Sequence, residues 1–395
     1  MEFVPETALG YARTIARPRR VGSNEERVVA REIARRLEQF GYRVERQPFQ
    51  FSTAPTVFIS LEVLACLLLI LAALWLRGSA AWAAAPAVLL VLLIFLTGSI
   101  NRAVLNGSLE PASGVPSFWS ALCLRIGSLY STENLIATLP ELDYSSCPHL
   151  YLVAHYDSKS QRIPLIVRVA LFVIAIAGGL TFAGLTLSAV VLPMLTVMAT
   201  VAGVLAILAG LPLLVLDTGN ASPGAIDNAS SVGLALHLAE CLAQRSDWRD
   251  RLRVTVLMTS AEEMTLMGAA AYARENEPAL RRQAGTGGLY VLNFDGVGVD
   301  GELYMAQGDR PRAMQGLIRE ACGELGLPLK RFGLTGVMFD HMPFAQRGFD
   351  AVSLIAIGGA TASVHTPGDS VDKLHVRGLA EAGRVALKVI EKLSR

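Results

Sequence analysis

The sequence predicts an α/β fold, a mostly parallel or mixed sheet with helices on both faces, joined to about four transmembrane helices. Three observations predict it. Short apolar runs rich in β-branched residues alternate with amphipathic helical stretches, as in βαβ units. Two oily blocks, residues 56–100 and 164–216, are each long enough for a pair of membrane spans. Of the 395 residues, 52% are hydrophobic and 17% charged, too oily for a purely soluble enzyme and too charged for one immersed in lipid throughout.

Residues 1–55 are polar and Arg-rich and read as the N-terminal part of the soluble domain. No basic start leading into an apolar core and a small-residue cleavage site is recognisable there, so no signal peptide is expected. Ser23-Asn24-Glu25-Glu26 fits a capping box, and Val28, Val29, Ile33, Leu37 and Phe40 follow at helical spacing up to Gly41. Residues 43–49 alternate as a strand. The first hairpin pairs residues 56–76 with 81–100 across Arg77-Gly78-Ser79, and about 20 residues at ~1.5 Å each cross the hydrocarbon core. Glu62, near the start of the first span, reads as an interfacial acid.

Residues 101–163 return to the soluble domain. Residues 101–131 read as a polar connection, followed by strands at 134–140 and 149–154. The second hairpin, residues 164–216, is broken near Pro193, with Arg168 placed to snorkel at its edge. Residues 217–395 form the main soluble part. They open with a Gly/Ser/Pro loop over 217–226, and show helices at 229–244, 311–323 and 376–393 and strands at 252–259, 289–294, 302–306 and 351–357.

A net charge of +1 provides no basic surface for nucleic acid, so no such partner is expected. The five cysteines are scattered without a Cys-x-x-Cys pair, which argues against a disulfide framework and a thiolate metal site. Four spans keep every soluble segment on one side. Arg102, Lys159, Arg162 and Arg168 flank that side, against Arg77 alone in the hairpin turns. This predicts an integral, multi-pass membrane protein in contact with lipid, its soluble domain in the cytoplasm. The oligomeric state is not legible.

The chemistry centres on Glu262-Glu263, at the end of the strand over residues 252–259. Open α/β sheets bind ligands at the carboxyl ends of their strands, and two adjacent carboxylates require a cation or a proton. His155 and Asp157 follow another strand, Asp227 precedes a helix, Asp295 closes Leu292-Asn293-Phe294-Asp295-Gly296, and His365 lies in Val364-His365-Thr366-Pro367-Gly368-Asp369. Taken singly, each has a plainer reading as a hydrogen-bonded edge histidine, a helix cap or a turn residue. Together, imidazoles and carboxylates without thiolates suit zinc, and in such numbers two zinc ions.

In order along the chain these motifs are His-x-Asp, Asp-Asn-Ala, Glu-Glu, Asp-Gly and His-Thr-Pro-x-Asp. That order resembles the co-catalytic di-zinc aminopeptidases, relatives of aminopeptidase Y and the bacterial leucyl aminopeptidases in the MH clan of metallopeptidases. These share a fold with glutaminyl cyclases and glutamate carboxypeptidases. Gly22-Ser23, Asn134-Leu135-Ile136-Ala137-Thr138 and Asp340-His341-Met342-Pro343-Phe344 also look like this family.

The resemblance implies the zinc-aminopeptidase (phosphorylase/hydrolase-like) architecture, a peptide substrate and two Zn2+ ions. By it, His155 and Asp295 hold one ion, Glu263 and His365 the other, and Asp227 bridges them. Glu262 acts as general base, Asp157 orients His155, and Asp340 and His341 line the substrate pocket. The chain departs from the family at Ser231, where glycine is common, and in its two apolar hairpins, the second of which falls between His155 and Asp227. The rival readings are a glutaminyl cyclase-like acyltransferase, a carboxypeptidase on the same fold, and a non-catalytic membrane scaffold. Retention of the five ligands and the base favours a di-zinc peptidase over a cyclase or a scaffold; a carboxypeptidase would use the same metals and differ only in pocket residues.

Overall fold

The computed structural model describes residues 3–109, 114–140, 147–215, 218–308, 312–334 and 337–395. Leu216 and Asp217, at the expected end of the second hairpin and start of the Gly/Ser/Pro loop, and Pro311, the expected start of a helix, lie outside the described residues. The chain folds as two compact units, one of Met1–Gln50, Tyr130–Ser160 and Gly219–Arg395, the other of Phe51–Leu129 and Gln161–Thr218.

The first unit is built on an eight-stranded mixed sheet. Its strands are β1 (Arg43–Ser52), β2 (Leu129–Thr138), β3 (His149–His155), β4 (Arg253–Thr259), β5 (Leu289–Asp295), β6 (Gly301–Gln307), β7 (Leu329–Arg331) and β8 (Asp350–Gly358). Their order across the sheet is β1-β2-β4-β3-β5-β8-β6-β7. The central four, β4, β3, β5 and β8, run parallel. Antiparallel β2 and β6 flank them, and β7 lies parallel to β6. From β3 the chain goes to β4 on one side and then to β5 on the other, so the winding reverses at β3. That reversal opens a crevice at the carboxyl ends of the strands.

Period-two alternation sorts the strand side chains between the two faces. Leu150, Leu152, Val254, Leu292, Phe294, Val352 and Leu354 pack under Leu234, Leu238, Ile318, Val385 and Val389 from one helical layer. Tyr151, Val153, Leu257, Val291 and Ala351 face Ala269, Tyr272, Leu280 and Phe344 on the other. Helices therefore cover both faces, as the sequence predicts. The serine half of the expected capping box forms, the Ser23 hydroxyl accepting from Glu26 N at 3.1 Å, while Glu26 Oε2 accepts from Gly22 N at 2.6 Å, one residue before the cap. Strand β7 escapes pattern reading, being three residues long and too short to show a period.

His149, at the start of β3, is buried, stacks on Tyr151 with ring centroids 4.4 Å apart, and shares a 2.8 Å hydrogen bond with the Thr255 hydroxyl. Burial, then the charge of Arg253, pushes this imidazole down from 6.5 to about 3. The neutral ring therefore contributes stability in full above pH 6.5, and the contribution is lost as pH falls towards 3. His149→Gln is expected to flatten this loss. Between pH 7 and pH 5 its thermal midpoint should fall less than that of the unmodified protein, read in parallel melts.

The second unit contains helices long and apolar enough to cross a membrane, namely Ala54–Gly78, Ala81–Gly107, Leu165–Ser188 and Pro193–Leu214. Small residues let them approach one another: Ala73, Ala87, Ala183, Ala199 and Ala206 pack with Ile70, Leu90 and Phe182. The expected interfacial acid Glu62 has a partner across the first hairpin, accepting from Asn101 Nδ2 at 3.2 Å. Within the stretch expected as a polar connection, the second long helix runs on to Gly107 and a further helix covers Phe118–Ile126. In the last turns of the long helix the Arg102 guanidinium donates from Nε to the Gly98 carbonyl at 3.1 Å.

Candidate metal centre

The carboxyl ends of the four parallel strands carry the polar cluster. His155 is the last residue of β3 and Asp295 the last of β5. After β4, Ala261 adopts a left-handed φ of 58° and turns the chain so that Glu262 and Glu263 follow the strand directly. The helix that follows them begins at Met267. His365 lies beyond β8 and the turn Gly359–Ser363, with φ 63°. Asp227 sits in the turn that opens the helix Ser230–Ala243. Gly224 starts that turn at φ +57°, where a Cβ would lie 2.6 Å from both the Asp227 carbonyl oxygen and Ser158 Cβ, so only glycine fits.

Two triads result. His155, Asp227 and Asp295 offer one nitrogen and two carboxylate oxygens, and Asp227, Glu263 and His365 offer the same set, with donor atoms within 4.8 Å of one another in each. Asp227 belongs to both: its Oδ1 is 3.0 Å from His155 Nε2 and its Oδ2 is 3.0 Å from His365 Nε2. Glu263 Oε2 is 3.0 Å from His365 Nε2, and Asp295 Oδ2 is 3.9 Å from His155 Nε2. Glu262 Oε2 stands 3.8 Å from His155 Nε2, beside the first triad and outside both.

The donor set fits a metal on an observation independent of its motifs. Both nitrogens of His155 and of His365, Asp227 Oδ1 and Glu263 Oε1 are buried without a hydrogen-bond partner. Leaving such groups unpaired costs about 1–3 kcal/mol each, and a cation at each triad would satisfy them. The charge distribution agrees. Burial raises Glu262 well above the usual carboxylate range, and Glu263, Asp295 and Asp340 push it further against the pull of His155. Burial and then Asp227 raise Asp295 likewise. Asp227 is held well below that range despite burial, because the two imidazoles, each 3.0 Å from one of its oxygens, favour its anion. Burial lowers His155, but the carboxylates of Glu262, Asp157 and Asp227 outweigh it and hold the ring well above its ordinary value.

The remaining expected residues lie around this cluster. Asp157 Oδ1 is 3.4 Å from His155 Nδ1, and the two Asp157 oxygens accept from the backbone N–H of Glu262 at 3.2 Å and of Glu263 at 3.3 Å. Asp157 thus also fixes the turn that presents the glutamates, a role that its spacing from His155 does not reveal. Asp340 is buried, accepts from the Thr259 hydroxyl, and is pushed up to about 6 by burial. His341 shares a 2.7 Å hydrogen bond with Ser353 Oγ, and burial pushes it down to about 4.

Three supporting residues escape sequence reasoning. Lys159 Nζ lies 2.7 Å from Glu263 Oε2 and donates to the Glu263 carbonyl at 3.2 Å, so one oxygen of that carboxylate is engaged and Oε1 is left open. The Asp369 carboxylate accepts from Ile226 N at 2.6 Å and from Asp227 N at 3.3 Å. Arg19, from the head that reads as a basic surface, is fully buried. Its guanidinium donates to the carbonyls of Tyr156 at 2.5 Å, Pro223 at 2.6 Å and Gly224 at 2.9 Å, joining the loops that carry His155 and Asp227. Burial lowers Arg19 to about 10 against the attraction of Asp157, Asp369 and Asp227. Arg19→Met is expected to cost about 3 kcal/mol or more, since three buried carbonyls lose their donor and the carboxylates a counter-charge. Arg19→Lys should not restore the loss, because an ammonium lacks the planar fork. Thermal unfolding of the three proteins in parallel checks both statements.

An α/β sheet with paired His/carboxylate triads at its carboxyl edge has the donor set of a metal-dependent hydrolase. The model of Peptidase family M28 matches residues 215–390, the segment that holds Asp227, Glu262, Glu263, Asp295 and His365, in agreement with the resemblance of the motifs to the co-catalytic zinc aminopeptidases. Comparison of the sequence with curated proteins gives no match. Among solved structures, an aminopeptidase from Aneurinibacillus sp. strain AM-1 aligns with TM-score 0.58 and 18% identity over 100% of this chain and 94% of its own. A zinc aminopeptidase from Bacillus subtilis aligns with TM-score 0.57 and 15% identity over 99% and 95%. Porphyromonas gingivalis glutaminyl cyclase aligns with TM-score 0.56 and 13% identity over 99% and 98%. At these identities the likeness is one of fold.

Proposed function

We propose that the protein is a membrane-anchored zinc aminopeptidase that removes N-terminal residues from peptides. The observation that supports this most is the pair of triads meeting at Asp227, with Glu262 beside them and outside both. His155, Asp227 and Asp295 would hold one Zn2+ ion, and Asp227, Glu263 and His365 a second. Bound zinc supplies Lewis acidity, which brings the ionisation of a water into the range of pH ~7 and polarises a peptide carbonyl.

The chain's own residues supply the rest. Glu262 Oε2 takes the proton of the attacking water and passes it to the leaving amine nitrogen. Its location suits that task, since burial and the neighbouring carboxylates favour the protonated form and so make the anion a stronger base. Asp157 keeps Glu262 and Glu263 in place through their backbone N–H groups. Asp340 and His341, buried beyond Thr259 and against Ser353, would shape one wall of the substrate pocket. The long apolar helices would anchor the chain in lipid as a multi-pass protein, with the soluble segments in the cytoplasm.

The test is product release from detergent-purified, zinc-loaded protein given free, N-acetylated and N-terminal-glutamine peptides. Release from free peptides alone supports an aminopeptidase. Loss of ammonia with ring closure of the glutamine peptide identifies a cyclase, and release from the carboxyl end of acetylated peptides a carboxypeptidase. No product with metal bound points to a scaffold.

A further inference from the structure

Helix Phe118–Ile126 is built inside out for a helix in water. Its buried residues are the small and polar Ser120 and Cys123, while Phe118 is 75% exposed and Trp119 and Ile126 are exposed as well. Phe118, Leu122 and Ile126 follow at steps of four and form one apolar stripe, half-buried at Leu122 and exposed at Phe118 and Ile126; Val115 and Leu129, just outside the two ends of the helix, are exposed as well. Soluble chains seldom leave such a stripe in solvent.

The position of this helix says what covers the stripe. Cys123 packs with Ala54, at the start of the first long apolar helix, and with Val104, in the last turns of the second. Cys123 Sγ lies 3.6 Å from the Val104 carbonyl oxygen, and Ser52 Oγ donates to the Cys123 carbonyl at 2.6 Å. Trp119 lies against Phe58, with centroids 6.3 Å apart, and so close to Gly107 that a Cβ there would stand 2.9 Å from the Trp119 backbone carbon. The helix thus lies at the hairpin end where the chain enters and leaves its spans, and its stripe continues their exposed apolar surface. At the opposite end, Trp75 and Trp82 are exposed on either side of the hairpin turn. From Phe58, against which Trp119 packs, to Trp75 the helix Ala54–Trp75 rises ~26 Å, near the ~30 Å thickness of a bilayer core. Trp and other amphipathic aromatics mark both borders of a membrane protein in this way.

We propose that Phe118–Ile126 is an interfacial helix that lies in the bilayer surface, with Phe118 and Ile126 inserted at the boundary of headgroups and acyl chains. Exposed Arg125, on the same helix, would meet the headgroup phosphates. The proposal rests on the reading of the four long helices as membrane spans.

The experiment uses the full chain in phosphatidylcholine vesicles doped with a phosphatidylcholine that carries a photoactivatable diazirine near the top of one acyl chain. Adducts are mapped by peptide mass spectrometry. Segment 115–126 is expected to take label within about threefold of the spans, and Phe118→Asp combined with Ile126→Asp to lower its label about fivefold or more with the spans unchanged. Labelled spans with an unlabelled 115–126 segment would overturn the proposal. If neither spans nor segment take label, and alkaline carbonate releases the chain from the vesicles, the membrane reading itself fails.

Discussion

Glu262→Gln is expected to reduce kcat for peptide release by about 10³-fold, with metal content and thermal midpoint close to those of the unmodified protein. The amide keeps the size of the side chain and cannot accept the proton of the attacking water. Glu262 stands outside both triads, 3.8 Å from His155 Nε2, so its replacement leaves the donor sets whole. KM should change little, since the lost interaction belongs to the transition state rather than to bound peptide. The same loss in a variant that had also released its metal would assign Glu262 to the ligands instead. Metal analysis must therefore accompany the kinetics.

Asp227→Ala is expected to empty both metal sites together. Asp227 alone belongs to both triads, its oxygens 3.0 Å from His155 Nε2 and 3.0 Å from His365 Nε2. Asp295→Ala, by contrast, should weaken only the triad with His155, and Glu263→Ala only the triad with His365. Zinc content after gel filtration, set beside the unmodified protein, separates these outcomes: loss of all metal for Asp227→Ala, and loss of about half for each of the other two. Loss of half for Asp227→Ala would show that the sites do not share this carboxylate. Some destabilisation of the metal-free variant is expected, because the buried imidazoles keep no anionic partner between them.

Arg19 shows why a site is harder to read than its donors. Its own stretch, Ala16-Arg17-Pro18-Arg19-Arg20, carries the composition of an exposed head. Its buried position depends on carbonyls at Tyr156, Pro223 and Gly224, more than a hundred residues away. Lys159 reads as a charge flanking a membrane span, yet its ammonium lies 2.7 Å from Glu263 Oε2. Asp157 reads as the residue that orients His155 by resemblance to the family, and it stands 3.4 Å from His155 Nδ1, but its bonds to the backbone of Glu262 and Glu263 are not legible in the sequence. The donor residues were visible as types because each follows a strand or opens a helix, and those boundaries leave local signals.

The sequence by itself determined the layers of this protein. Alternation of period two set which strand residues face which helical layer, runs of about 20 apolar residues set the long helices, and the order of the acidic and histidine motifs pointed to the peptidase family. These are properties of neighbours along the chain. Only the tertiary structure decided which strands lie side by side, that Asp227 belongs to two triads, that Arg19 and Lys159 supply the counter-charge, and that the helix after the first hairpin turns its apolar face outward. Each of these depends on groups distant in sequence being brought within a few ångströms. There desolvation and unpaired hydrogen-bonding groups dominate, and neither leaves a trace in local periodicity.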